Sequence, residues 1–153
     1  MADPAAVVEI VALRHRIEAV RGPLLMTEHG RVPVCRDEDQ HEAHCFHAHA
    51  LLFALGGRGL NEAHSYYAQC ATFPTLGSAL EYAAGKDAYM LVSSSSSKYN
   101  IHYGPLNTPR QLARMLAAVA AEEIDVADWR RNPRKAEAEV MATSIRAALE
   151  EDA

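Results

Sequence analysis

His44-Cys45-Phe46-His47-Ala48-His49-Ala50-Leu51-Leu52-Phe53 holds three of the eight histidines in a chain of 153 residues, and His41 stands just ahead of it. The run turns apolar toward its end, as a strand does on entering a core, which predicts a strand over about residues 45–54. Side chains on a strand alternate faces, so His47, His49 and Leu51 share one surface while Phe46, Ala48, Ala50 and Leu52 share the other. Two imidazoles side by side call for hydrogen-bonding neighbours, a metal or a chemical task, because a polar group buried without a partner is costly. Imidazole is also the usual acid, base and ligand near neutral pH.

Working outward from that run, residues 4–21 predict an amphipathic helix with Val7, Ile10, Val11, Leu13, Ile17 and Val20 as its apolar stripe. Asp3 before Pro4 supplies the N-cap and first helical residue, and Gly22-Pro23 ends the helix. A short strand over residues 24–27 follows, running into Glu28-His29-Gly30, and the polar segment 31–43 reads as a loop. Gly56, Gly57 and Gly59 read as turn residues, since the stretch lacks the spacing of a phosphate loop. Residues 60–74 carry no clear period, although Tyr66 and Tyr67 could open a strand.

Residues 75–84 predict a helix closed by Gly85, and 88–92 with 98–103 predict a hairpin joined by the serine run 93–97. Thr108, Pro109 and Gln111 have the spacing of a capping box, with Leu112, Met115, Leu116 and Val119 as the buried stripe behind it. The free N–H groups of such a helix start, near Arg110 and Arg114, make it the best anion site the sequence offers. Pro133 opens a last helix with Ala136, Val140, Ile145, Ala148 and Leu149 on one side, and Trp129 is expected to anchor the loop before it. The order of helix, strand, strand, helix, hairpin and two helices predicts an α+β fold, a small antiparallel sheet with helices packed on it, as one domain over residues 1–153.

Composition narrows the function classes. With 49% hydrophobic and 23% charged residues the chain has the make-up of an ordinary globular domain. Its formal charge of −5 argues against nucleic acid as a partner, though a small phosphorylated ligand needs only a local positive pocket. Apolar runs such as 115–121 are too short for a bilayer and the N-terminus lacks a secretory pattern, so a cytoplasmic protein with no membrane partner is expected. Cys35, Cys45 and Cys70 are irregularly spaced, which does not suggest a disulfide framework.

The histidine run resembles the signature of the histidine-triad (HIT) superfamily, in which three histidines at alternate positions precede apolar residues. His47 matches the first position and His49 the second, and Leu51 stands at the third. Glu28-His29-Gly30, the Gln111-Leu112-Ala113-Arg114 helix, and Asp128-Trp129-Arg130 followed by Pro133 are similar to a bacterial HIT-like subgroup, so the resemblance spans about residues 23–135. It implies a HIT-like fold with a short N-terminal half. It also implies a nucleotidyl hydrolase or transferase acting at the α-phosphorus of a nucleotide conjugate through a nucleotidyl-histidine intermediate.

On that resemblance His49 is the nucleophile and His47 supports the phosphoryl oxygens, with Glu28, His29, Gln111 and Arg114 around sugar and phosphate. No metal or other cofactor is implied. Leu51 departs from the triad; galactose-1-phosphate uridylyltransferases, in the same superfamily, carry glutamine at that position. A second register, Cys45-His47-His49, would make His47 central. The short N-terminal half and the apolar faces of residues 4–21 and 133–150 predict a homo-oligomer, a homodimer first. Two other readings stand beside this one: a zinc or other metal site built from His41, His44, His47 and His49, and a non-catalytic nucleotide-binding or interaction protein derived from a HIT domain.

Overall fold

The computed structural model describes residues 3–30, 50–55, 58, 62–109, 111–127 and 131–151. Four helices, α1 (Pro4–Arg21), α2 (Leu76–Ala83), α3 (Leu112–Ala120) and α4 (Lys135–Glu151), accompany five strands, β1 (Leu25–His29), β2 (Leu51–Phe53), β3 (Tyr67–Phe73), β4 (Tyr89–Ser95) and β5 (Lys98–Pro105). The strands form one antiparallel sheet in the order β2-β1-β4-β5-β3. This is the expected α+β architecture, a small antiparallel sheet with helices on it.

Alternation along the strands sorts the core into two layers. Leu25, Met90 and Val92 face α3 and meet its Leu112, Ala113 and Leu116, with Leu51 and Phe53 of β2 at the margin. Their neighbours Met26, Leu91, Tyr99 and Ile101 face the other way, onto Leu76, Ala79 and Ala83 of α2 and Val7, Ile10 and Val11 of α1. Full burial of such a side chain is worth about 1.5–3 kcal/mol, so these two layers are the main cohesive contacts. α4 lies against α1, where Arg16 donates to the Leu149 carbonyl. Among the described residues no helix is long and apolar enough to cross a membrane.

Local chemistry sets several boundaries as expected. The Asp3 carboxylate accepts the Ala5 N–H at 3.0 Å, Pro4 occupies the first turn, and Gly22 takes φ 75° after the last. Thr75 caps α2 by accepting the Ser78 N–H.

Elsewhere the structure corrects the sequence. Residues 67–73 form a full strand, β3, at the sheet edge. The serine run is mostly strand: only Ser96 and Ser97 turn, and Ser93 is wholly buried because its hydroxyl accepts from Arg14 at 2.8 Å. Helix α3 starts at Leu112 with Gln111 as an N-cap whose side chain makes no capping hydrogen bond, while the Thr108 hydroxyl donates to the Tyr66 carbonyl, so the capping box does not form. Its stripe shifts accordingly, with Ala117 and Ala118 buried and Val119 exposed. Pro133 precedes α4 by two residues, and Val140 stands 72% exposed instead of lying on a buried side. Leu13 and Val20 of α1 are also exposed, and Arg14 is fully buried where Val7, Ile10 and Val11 are half-buried.

Candidate functional site

Where β1 ends and α3 begins, the sheet and the helix leave a small cleft of about 20 Å³, the room of a single water. His29 lines it from β1, Met90 from β4 and Tyr67 from the start of β3. Pro109, Gln111, Leu112 and Ala113 close it from the helix side. Gln111 holds a left-handed backbone, φ 58° and ψ 30°, while its carbonyl accepts the Met115 N–H at 3.0 Å and so begins the helix. The first-turn N–H groups of α3 have no partners within the helix and carry the positive end of its dipole, beside an exposed carboxamide and an imidazole. Such a grouping suits a small anionic oxygen. Gly30 fits because a side chain there would collide with the Tyr89 ring, whose carbonyl accepts the Gly30 N–H at 3.0 Å.

The residues expected around substrate are thus partly brought together. His29 and Gln111 share the cleft. Glu28, one residue before His29, points through the opposite face and is buried beside Tyr89; that phenol is pushed above its ordinary range by burial first and then by the Glu28 charge and hydrogen bond. Arg114 is exposed on α3 and does not line the cleft. His41, His44, His47 and His49, together with Trp129, lie outside the described residues, so the nucleophile, its alternative register and the histidine metal set have no geometry here. Of the predicted histidine strand, the described part is strand from Leu51 to Phe53, with Ala50 and Ala54 outside it.

Register shows what the sequence did not. His29 pairs with Met90, Met90 with His102, and His102 with Cys70, a row across four strands. His102 is 7% exposed. Its Nε2 lies 4.0 Å from Cys70 Sγ, its ring centroid lies 6.0 Å from that of Tyr67, and its Nδ1 has no hydrogen-bond partner among the described residues. Burial first, and the nearby His64 second, lower its pKa from the ordinary 6.5, which favours the neutral ring at pH 7. Burial pushes the Cys70 thiol up against the opposing pull of Lys98, and pushes Tyr67 up to about 12. A single histidine within Tyr99-Asn100-Ile101-His102-Tyr103 gives no hint of this, because its cross-strand partner sits in the stretch without a clear period. Among the described residues no three His, Cys, Asp or Glu side chains are grouped to hold a metal.

No family model, no curated protein and no solved structure matches the chain.

Proposed function

We propose that the chain is a HIT-type nucleotidyl hydrolase or transferase that acts at the α-phosphorus of a nucleotide conjugate through a nucleotidyl-histidine intermediate. The observation that carries the reading is the meeting of His29 and Gln111 at the start of α3, two residues far apart in sequence that line one cleft suited to a phosphoryl oxygen. The cleft holds one small group, so the rest of a nucleotide would lie outside it. Ala50 joins β2 at the end of the sheet where β1 carries Glu28 and His29, and His49 is covalently attached to Ala50. In this reading His49 attacks phosphorus, helped by a hydrogen bond that holds its other ring N–H, and His47 donates to the phosphoryl oxygens. Gln111 and the α3 N–H groups stabilise the charge that develops there. Neither metal nor other cofactor takes part.

The same reading includes a cytoplasmic location and a homodimer. Val8, Leu13 and Val20 on α1 and Val140 and Met141 on α4 are exposed apolar groups that symmetric self-association would cover; sedimentation at micromolar concentration tests this.

Incubation with a panel of nucleotide conjugates, read by mass spectrometry, is expected to show a covalent nucleotidyl adduct that His49→Ala abolishes together with turnover. Loss in His47→Ala but not in His49→Ala would select the second register. Tight nucleotide binding with no adduct and no turnover would leave a non-catalytic binder, and indifference to both substitutions would end the HIT-type reading.

A further inference from the structure

The hydroxyl of Tyr67 has no part in the reading above. Tyr67 opens β3 and is 4% exposed, yet it lines the cleft at the start of α3. Strict alternation would send it to the α2 side with Phe73. The ladder is irregular at this end, where Gly104 beside Ala68 takes φ 68°, and Tyr67 packs in the α3 layer instead. Its phenol makes no hydrogen bond among the described residues, and burial is the one influence on its ionisation. The hydroxyl is nevertheless absent from the polar atoms that are sealed off without a partner. The sliver of surface that Tyr67 keeps therefore includes the hydroxyl, and the cleft is the opening it lines. A donor so nearly enclosed and still unmet calls for an explanation.

The main chain fixes this phenol against the helix. The Tyr66 carbonyl accepts the Leu106 N–H at 3.0 Å and the Thr108 hydroxyl at 3.4 Å, which ties the segment leading into α3 to the residue before Tyr67. Leu112 and Ala113 line the same cleft, and as first-turn residues their N–H groups have no acceptor within the helix. Two independent features, a helix N-terminus and a covered phenol without a partner, thus converge on a space with room for about one water. No carboxylate lines it, and Met90, Pro109 and Leu112 supply apolar walls. Donors around an apolar wall suit an oxygen that only accepts, and negative charge on that oxygen strengthens each bond.

We propose that the Tyr67 hydroxyl and the first-turn N–H groups of α3 together seat one non-bridging oxygen of a phosphoryl group, which makes Tyr67 a substrate-binding residue. No proton is transferred: the phenol keeps its proton, as its burial favours, and donates it in a hydrogen bond. That the group is the α-phosphoryl of a nucleotide conjugate rests on the proposed function.

The test is Tyr67→Phe, which removes the hydroxyl and keeps the ring. Inorganic phosphate and a nucleoside monophosphate are titrated separately at constant ionic strength, with the amide proton shifts of Leu112 and Ala113 as the readout. Saturating shifts are expected in the wild type, and Tyr67→Phe should weaken binding by about tenfold or more with no fall in melting temperature. Equal affinity in the variant would overturn the role of Tyr67, as would a lower melting temperature with affinity unchanged, and no shift with either anion would remove the seat. Binding of inorganic phosphate alone would keep the seat and assign it to the free ion. Should Tyr67→Phe fail to fold, the Tyr67 ring resonances of the wild type decide: a shift that saturates together with the Leu112 amide supports the seat, and none overturns it. Turnover separates this from the proposed function. Weak phosphate binding in Tyr67→Phe beside full turnover in His49→Ala would keep the seat and end the HIT-type reading; wild-type binding and turnover in Tyr67→Phe beside an inactive His49→Ala would do the reverse.

Discussion

On the α1–α2 side of the sheet Arg14, 1% exposed, donates to the Ser93 hydroxyl at 2.8 Å, the Leu24 carbonyl at 2.8 Å and the Glu18 carboxylate at 2.9 Å, whereas on the α3 side the buried Thr27 Oγ1 and His102 Nδ1 have no hydrogen-bond partner among the described residues. Both sides have comparable apolar packing, so the difference lies in how polar groups are used. A satisfied buried charge fixes the structure, because removing one partner strands the other. An unsatisfied buried polar atom adds nothing to cohesion and marks a place where a ligand could supply what the protein does not. The cleft with His29 and Gln111 opens on the α3 side.

The sharpest way to break this contrast is Arg14→Met. It keeps much of the side-chain length but leaves the Leu24 carbonyl without the guanidinium and the Glu18 carboxylate with the Leu24 N–H alone. The expected loss is about 3 kcal/mol, a fall of roughly 10 °C in melting temperature for a chain of this size; under the proposed function, binding of a nucleotide conjugate is preserved at temperatures where the variant is folded. Thermal melts and urea titrations measure it. A loss under 1 kcal/mol would mean that the buried guanidinium is incidental, and the two sides would no longer differ in kind.

Arg14 also shows where the sequence was legible. Helix α1 and its caps could be read from Asp3-Pro4 and Gly22-Pro23 because those signals act within a few residues. Two of the partners of Arg14, Ser93 and Ser95, are some eighty residues away, and nothing local says that a run of serines will enter the core to meet an arginine. Strand β3 was legible only at its start, Tyr66-Tyr67, for a related reason: as an edge strand it exposes Ala68, Gln69, Cys70 and Thr72, so its apolar period is weak. The Thr108–Gln111 box failed because local spacing permits a cap that competing geometry overrides. The Tyr66 carbonyl takes the Thr108 hydroxyl, and Gln111 turns left-handed. Of the expected site, the meeting of His29 and Gln111 was implied by the resemblance, and residue types and spacing alone did not carry it. Glu28 was misgrouped with His29 because adjacent residues on a strand face opposite ways.

Thr27→Val sharpens the α3 side of the contrast. The hydroxyl is fully buried with no partner among the described residues, so an apolar replacement of nearly the same shape should stabilise by about 1 kcal/mol. A shift of the urea midpoint to higher denaturant is the expected sign. If stability falls instead, the hydroxyl has a partner in solution and Thr27 belongs with the satisfied groups.

Gln111→Gly is smaller. Glycine relieves about 1 kcal/mol of left-handed strain and loses about half of that through its freer unfolded chain, for a net gain of about 0.5 kcal/mol. A working capping side chain would predict a loss of a few tenths of a kcal/mol for the same change. Under the proposed function the Michaelis constant for a nucleotide conjugate rises while the protein becomes more stable. A parallel fall of stability and affinity would restore a structural role for the glutamine.

The smallest effect vanishes at alkaline pH. Burial, with help from His64, depresses the pKa of His102 below the ordinary 6.5 that it regains on unfolding. Below that value the unfolded chain binds more protons at this position than the folded one, so stability rises with pH there. The contribution is fully present above pH 6.5 and is lost as pH falls toward the depressed folded value. His102→Gln removes the titrating group, so wild type and variant should keep a constant difference in stability at pH 7.5 and above, and that difference should shift in the variant's favour as the pH falls from 6.5 to 5. Subtracting the two curves cancels the histidines remote from position 102, leaving His102 together with its neighbour His64. A difference that stays flat down to pH 5 would mean that His102 takes up its proton as readily folded as unfolded. It would then be solvated through Nδ1, and the α3 side would hold one fewer unmet polar group than Thr27 and His102 together imply.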